Sequence, residues 1–292
     1  MNDTNIRENK THGHVSFPYI VYPGNIPEYI HSYPLHWHEE MELIYNQKGR
    51  GYVTVQSTRY ELHDGDMILI LPHELHSIEQ CEDNKMEYYN ILFQYSLLTN
   101  HTKDICFEKY FKPFLDHTRT IPVHITKSHE LYQQLYPYII DLIIHREESF
   151  SNYELMVKSN LFTIMHLLNR YSLPIDDDYI RMEDIYIKLK NVLLHIEKNY
   201  NIEISVKDAA HICGFSESHF MKLFKTITGK SFTQYLKDYR LEIAGRKLLE
   251  TELKIIEISE NCGFNNHSYF IRSFCEKYGT TPSKYRKVYG KK

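Results

Sequence analysis

A duplicated segment in the last third of the chain constrains the fold more than any other feature of its 292 residues. "AAHICGFSESHFMKLFKTITGKSF", from Ala209, and "ISENCGFNNHSYFIRSFCEKYGTTP", from Ile258, both run through Cys-Gly-Phe, then an aromatic-rich stretch, then a glycine stop, about fifty residues apart. The second copy has one residue more between its Cys-Gly-Phe and Phe270, which aligns with Phe220. Each copy predicts a helix, a tight glycine turn and a second helix. In the first copy Ser205 is placed to cap a helix, Val206, Ala209 and Ala210 face inward, Gly214 turns the chain, and Ser216 caps the next helix. Along that next helix Phe220, Leu223, Phe224 and Ile227 recur at three- and four-residue spacing and are buried, so Ser218, Met221, Lys222 and Lys225 are displayed outward. In the second copy Phe270 and Phe274 go inward, Ser268, Ile271, Arg272 and Cys275 go outward, and His267 stands near the helix start.

Residues 234–250, "QYLKDYRLEIAGRKLLE", predict a continuous helix that holds the two display helices at a fixed separation. Roughly 34 Å, one turn of duplex DNA, would let both enter successive major grooves, where Lys or Arg donates to guanine O6 and N7 and short side chains meet thymine methyls. Charge is distributed to match. From Glu183 to the C-terminal end there are 19 Lys+Arg against 13 Asp+Glu, and in the remainder 15 against 25, so only the back of the chain suits a polyanion.

The front reads differently. Between Leu35 and Gln80, short alternating runs such as "EMELIYNQ", "YVTVQ" and "MILILP" are separated by turn residues, Asp64-Gly65-Asp66 among them, which predicts an antiparallel sandwich or barrel. After Thr126 the period changes: Leu131, Leu135, Tyr138 and Leu142, then Leu155, Phe162, Met165 and Leu168, mark two amphipathic helices expected to pair with a second copy of the chain. "SLPIDDDYIRMED", residues 172–184, breaks the periodicity and reads as a linker. The expected organisation is a β-domain over 1–127, a helical dimerisation segment over 128–171, a linker over 172–184 and a DNA-binding domain over 185–292. The five cysteines are scattered and read as reduced thiols, the N-terminus has no apolar signal core, and no stretch approaches the roughly 20 apolar residues of a membrane span. A cytoplasmic location and no membrane partner follow as expectations.

From about residue 188 to 288 the chain resembles the DNA-binding domain of AraC/XylS-family transcriptional regulators, the closing Phe274, Lys277, Tyr278, Gly279, Thr281, Pro282, Tyr285 and Arg286 being the more specific part of the match. The resemblance implies base contacts from Ser218, Met221 and Lys222 in the first reading helix, with Lys225 on the same face, and from His267, Ser268, Ile271 and Arg272 in the second. It also implies RNA polymerase as a partner, homodimers, and activation of an adjacent promoter.

"PLHWHEEMEL", residues 34–43, raises a second question. His36, His38 and Glu42 with Gly49 resemble the first motif of cupin-like sensor domains often joined to these regulators, and His76 lies where the second motif places its histidine; Leu71 and His73 stand where that motif prefers proline and glycine. Shared parity along a strand would put His36, His38 and Glu42 on one face. The cluster admits three readings: a metal-free polar pocket, a sensory metal held by His36, His38, Glu42 and His76, or a metal-dependent cupin enzyme, a dioxygenase or isomerase, fused to a DNA-binding domain. The reading adopted is an effector pocket formed by His36, Trp37, His38, Glu42, His73 and His76, with no cofactor and no enzymatic activity, and with a sugar as effector by family resemblance. The fold class expected is α+β multidomain: a cupin-like antiparallel β-barrel with a C-terminal helical hairpin, then an all-α domain with two helix-turn-helix motifs joined by a linker helix.

Overall fold

The computed structural model describes residue 7 and residues 12–28, 32–99, 104–147 and 151–289. The chain divides into two units, Arg7–Glu183 and the residues from Asp184 onward.

The first unit opens with eight strands: β1 (Tyr19–Ile26), β2 (Ser32–His36), β3 (Met41–Gly49), β4 (Gly51–Val55), β5 (Thr58–Leu62), β6 (Met67–Ile70), β7 (His76–Gln80) and β8 (Met86–Phe93). The short helix α1 (Lys112–Leu115), the two-residue strands β9 (Arg119–Thr120) and β10 (His124–Ile125), the helices α2 (Tyr132–Ile144) and α3 (Tyr153–Arg170), and β11 (Leu173–Pro174) follow. The main strands form two antiparallel sheets, ordered β1-β8-β3-β6-β10 and β2-β7-β4-β5, and β11 pairs with β9.

Alternation along β3 and β6 sorts the interior into two layers. Leu43, Tyr45, Met67 and Leu69 pack with Leu135, Ile139 and Leu142 of α2 and with Val157, Leu161, Ile164 and Leu168 of α3. Ile44, Ile68 and Ile70, of opposite parity, pack with Val53, Val55 and Ile78 of the other sheet. Covered on both faces, β6 is buried at all four positions, as strands sandwiched between layers are. Two sequence expectations change here. Residues 128–171 are not a separate helical segment, because α2 and α3 share one core with the five-stranded sheet. Nor is 172–184 an unstructured linker. Ser172 and β11 are tied to Arg119, and from Asp177 the chain runs as one helix, α4 (Asp177–Asn199), with Asp176 Oδ1 accepting the Tyr179 N–H at 2.8 Å. The acidic run that suggested a linker is a helix start, where the Asp176 carboxylate meets a first-turn N–H at the positive end of the helix dipole.

The second unit contains the rest of α4 and six helices: α5 (Val206–Cys213), α6 (Glu217–Thr228), α7 (Phe232–Glu250), α8 (Ile255–Asn261), α9 (His267–Tyr278) and α10 (Pro282–Tyr289). The signals read from the repeat act as expected in the first copy. Ser205 forms a capping box with Asp208, Gly214 ends α5 at φ +68°, Ser216 caps α6 through the His219 N–H, and Gly229 ends it at φ +73°. In the second copy Lys254 has no acceptor to offer, so only the reciprocal half survives, Glu257 Oε2 accepting the Lys254 N–H at 2.7 Å. Asn266 caps α9, and Gly279 ends it at φ +67°.

Each copy is held by the same device. Arg240 donates from Nε to the carbonyl of Tyr200 and from Nη2 to that of Ile202, both at 2.7 Å, just ahead of α5. Arg286 does the same to Leu248 at 3.1 Å and Leu253 at 2.7 Å, just ahead of α8. Both arginines therefore clamp the entry to a helical hairpin. Their cores are aromatic: Phe224 lies 5.4 Å from both Phe220 and Phe232, and Phe274 lies 4.5 Å from Tyr278 and 5.4 Å from Tyr285 between ring centroids.

Candidate functional site

In the second unit, the helices that follow the glycine turns present the faces read from the sequence. Ser218, Met221, Lys222 and Lys225 are all exposed on α6, while Phe220, Phe224 and Ile227 are buried beneath them. On α9, Ser268 and Arg272 are exposed, whereas His267 and Ile271 are half-buried, the histidine ring stacked on Phe270 and Ile271 packed against the core. Ile271 thus divides its surface between support and display. Tyr269, 46% exposed and one turn before Arg272, adds an aromatic side chain to the exposed surface of α9; its signal in the sequence is an aromatic residue beside, rather than on, the inward-facing Phe270–Phe274 stripe.

The first unit holds its candidate site residues inside. His36 ends β2 opposite His76 at the start of β7, the two rings 4.1 Å apart, and Glu42 lies in β3 of the other sheet, opposite Leu92 of β8. His36 and His76 come from one sheet, Glu42 from the other and His38 from the segment joining β2 to β3, so the shared surface is the interior between the sheets rather than one face of a single strand. The donor atoms of His36, His38, Glu42 and His76 lie within 4.8 Å of one another, and all four residues are buried.

The main chain orients these rings. Nδ1 of His36 meets the Pro34 carbonyl at 2.9 Å, that of His38 the Glu40 carbonyl at 3.1 Å, and that of His76 the Glu74 carbonyl at 2.8 Å. A carbonyl only accepts, so each Nδ1 carries the proton, and a neutral ring then offers a lone pair at Nε2. Yet His38 Nε2 and His76 Nε2 each lie 3.0 Å from Glu42 Oε2, itself an acceptor. Such a set of facing acceptors is balanced by one added proton shared within the cluster or by a cation among the donors. Burial alone would raise Glu42, but the hydrogen bonds and charge of His38 and His76 outweigh it and hold the carboxyl well below the usual carboxylate range.

A cavity of about 190 Å³ opens beside the cluster, lined by His36, His38 and Glu42 together with His12, Tyr22, Tyr33, Tyr88 and Asn90. It is smaller than the roughly 300–1,000 Å³ of sites for drug-sized ligands, and so suits a small metabolite or a hydrated ion. Of the residues assigned to the pocket from sequence, His76 belongs to the cluster without lining the cavity, and two more are elsewhere. Trp37 and His73 lie against each other at 5.7 Å and do not line the cavity; Trp37, one residue out of phase with His36 and His38, turns away. The missed lining residues had uneven signals. Tyr88, Asn90 and Leu92 share parity along β8, so the asparagine on the same face as buried Tyr88 and Leu92 was a legible sign, whereas His12 precedes β1 in a stretch without periodicity. His73 does explain the preference for glycine at its position: its φ is +69°, a conformation that strains any residue with a Cβ.

This architecture, a two-sheet sensor with a buried polar cavity and a duplicated helical reader, defines the class: a ligand-binding transcriptional regulator. Comparison with known proteins gives the family. Residues 203–288 match the family described as a helix-turn-helix domain, and residues 28–159 match the AraC-like ligand binding domain. The chain is 24% identical over 289 residues, 98% of its own length and 97% of the relative's, to the uncharacterized HTH-type transcriptional regulator YdeC of Bacillus subtilis (strain 168). It is 34% identical over 99 residues to the transposon Tn10 TetD protein of Escherichia coli, covering 34% of this chain and 72% of that one. Among solved structures, the C-terminal domain of the response regulator yesN from Fusobacterium nucleatum matches 33% of this chain and 95% of its own, at 34% identity and a TM-score of 0.32. The chain belongs to the AraC-type helix-turn-helix transcriptional regulators. It is a DNA-binding regulator that carries a ligand-binding domain, and among the described residues no helix is long and apolar enough to cross a membrane.

Proposed function

We propose that this regulator activates transcription from bipartite promoter sites in response to a small effector bound at His36, His38, Glu42 and His76. One observation carries the effector reading: three imidazoles, each tethered through Nδ1 to a carbonyl, converge on a buried carboxylate at the edge of a cavity. A hydroxyl-rich molecule such as a sugar suits the metal-free form, because its hydroxyls donate to Glu42 and accept from or donate to the ring nitrogens. The cavity tyrosines Tyr22, Tyr33 and Tyr88 add flat surfaces beside them.

A divalent cation is the second reading, favoured by the unbalanced set of acceptors around Glu42 Oε2. Three histidines and one carboxylate fit a first-row transition metal, and the three carbonyls would be the outer partners that fix the rings. Such an ion would supply positive charge and open positions for a ligand. The relatives are named as regulators, which favours sensing over catalysis. A thermal-shift screen of the full chain against a carbohydrate library and against first-row divalent cations separates the readings, since a ligand specific to the native state raises Tm. A hit lost in His38→Ala supports the site; hits retained in that variant would remove it.

For DNA, Ser218, Met221, Lys222 and Lys225 form the first reading surface and His267, Ser268, Ile271 and Arg272 the second. Leu155 and Phe162, exposed and seven residues apart on α3, support a second copy of the chain as partner.

A further inference from the structure

Glu74 has ties in two directions. Its main-chain carbonyl accepts from His76 Nδ1 at 2.8 Å, so it touches the cluster directly. Its carboxylate accepts from the Leu71 N–H at 2.8 Å and from the Tyr179 hydroxyl at 3.2 Å. Tyr179 lies in the first turn of α4. One turn further, Glu183 accepts from Gln56 Nε2 at 3.2 Å and lies 3.5 Å from His117 Nε2. Glu74, Glu183 and Gln56 are all buried. The chain entering α4 is also held, with Arg119 donating from Nε to Ser172 Oγ at 2.8 Å and from Nη2 to the Ser172 carbonyl at 2.6 Å.

Apolar packing would fix a helix end to a domain more simply. Two buried carboxylates hold it only while their partners stay within hydrogen-bonding distance, so the contact depends on the position of each donor. Glu74 is the acceptor that Tyr179 must reach, and through its main-chain carbonyl the same residue fixes the ring of His76. From Asp184 onward, α4 belongs to the second unit.

We propose that Tyr179 and Glu183 form a latch holding the start of α4 to the sensor, and that the state of the His36–His38–Glu42–His76 cluster reaches the latch through Glu74. The proposal rests on the effector reading for its purpose, but its geometry stands alone. A change at His76 that shifts the Glu74 backbone weakens the Tyr179 contact, and a loosened latch alters the helix that leads into the DNA-binding unit. Coupling of this kind is reciprocal.

Hydrogen–deuterium exchange of the full chain tests it. Tyr179→Phe should speed exchange over residues 179–183 about tenfold, the effect expected from losing a hydrogen bond to a buried carboxylate, and leave β3 protected. His76→Ala, with β3 protection and an unchanged circular dichroism spectrum as controls for folding, should speed the same residues. Tyr179→Phe combined with Glu183→Gln should shift the Kd for a duplex selected by the wild-type protein from a random pool at least about fivefold. Unchanged exchange over 179–183 in Tyr179→Phe would overturn the latch, unchanged exchange there in His76→Ala would overturn its link to the cluster, and an unchanged Kd would overturn its link to DNA. Failure of the effector reading shows differently: no sugar or cation moves Tm, while the exchange results stand.

Discussion

The two units place their polar chemistry on opposite sides of their surfaces. The sensor buries it: Glu42 among histidines and Glu74 beside Glu183 are each nearly inaccessible. The reader buries phenylalanines and tyrosines, and puts Lys222, Lys225 and Arg272 on the outside. The difference follows from what each must recognise. A small molecule is bound by enclosing it, so its partners must be withdrawn from water and held in place. A polyanion is bound on a convex surface, where exposed cations displace its counterions, and the interior serves only to make the surface rigid.

Mutations that exchange these roles should therefore act differently. The largest effect is expected in the reader's interior. Phe274→Ala removes a ring packed against Phe270, Tyr278 and Tyr285 and should cost about 3–5 kcal/mol, read as a drop in the denaturation midpoint of the full chain. Retained stability would mean that the second copy does not pack as a unit.

In the sensor the two buried carboxylates differ from each other. Histidines hold Glu42 low. Burial pushes Glu74 up to about 7, against the Leu71 N–H that favours its charged form, and the carboxylate of Glu183 adds to the rise. With its folded value above its unfolded one, Glu74 gives its full stabilisation below about pH 4.5 and loses it as pH rises through about 7. Glu74→Gln does not titrate, so between pH 5 and pH 8 it should gain about 2–3 kcal/mol relative to the wild-type chain. Parallel stability–pH curves for the two proteins would refute this.

On the surface, Arg272→Ala should cost about 1–3 kcal/mol at one operator position and relax preference there. Equal losses on selected and random duplexes would make Arg272 a phosphate anchor. The smallest effect is expected at His73, where His73→Gly relieves the left-handed backbone strain and should raise stability by roughly 0.5–1 kcal/mol, less the lost contact with Trp37.

Legibility in the sequence also divides along this line. The reader was readable almost residue by residue because its signals are local: serine caps, glycines at positive φ, and a 3.6-residue period each act within one turn of helix. The sensor's His/Glu cluster was readable as residue types, but its assembly across two sheets was not, because sheet order and the register of His36 opposite His76 depend on partners far apart in the chain. Trp37 was misplaced despite a local signal. Its neighbours in sequence are cavity residues, but alternation sends it the other way. The acidic stretch before Tyr179 carried a helix-start signal that the nearby Pro174 and the loss of periodicity obscured. His12 had no signal, since its role depends on where a chain without regular period happens to cross the cavity.

On the proposed function, two capped helical hairpins in one chain, displaying Lys222 and Arg272, enter neighbouring grooves of one duplex. Hydroxyl-radical footprinting of the full chain on a selected duplex tests it directly. Two protected patches on one face of the DNA, about one helical turn apart, are expected, with the patch under α6 weakened by Lys222→Ala and the patch under α9 by Arg272→Ala. A single patch per chain, or two patches that weaken together in either variant, would contradict it.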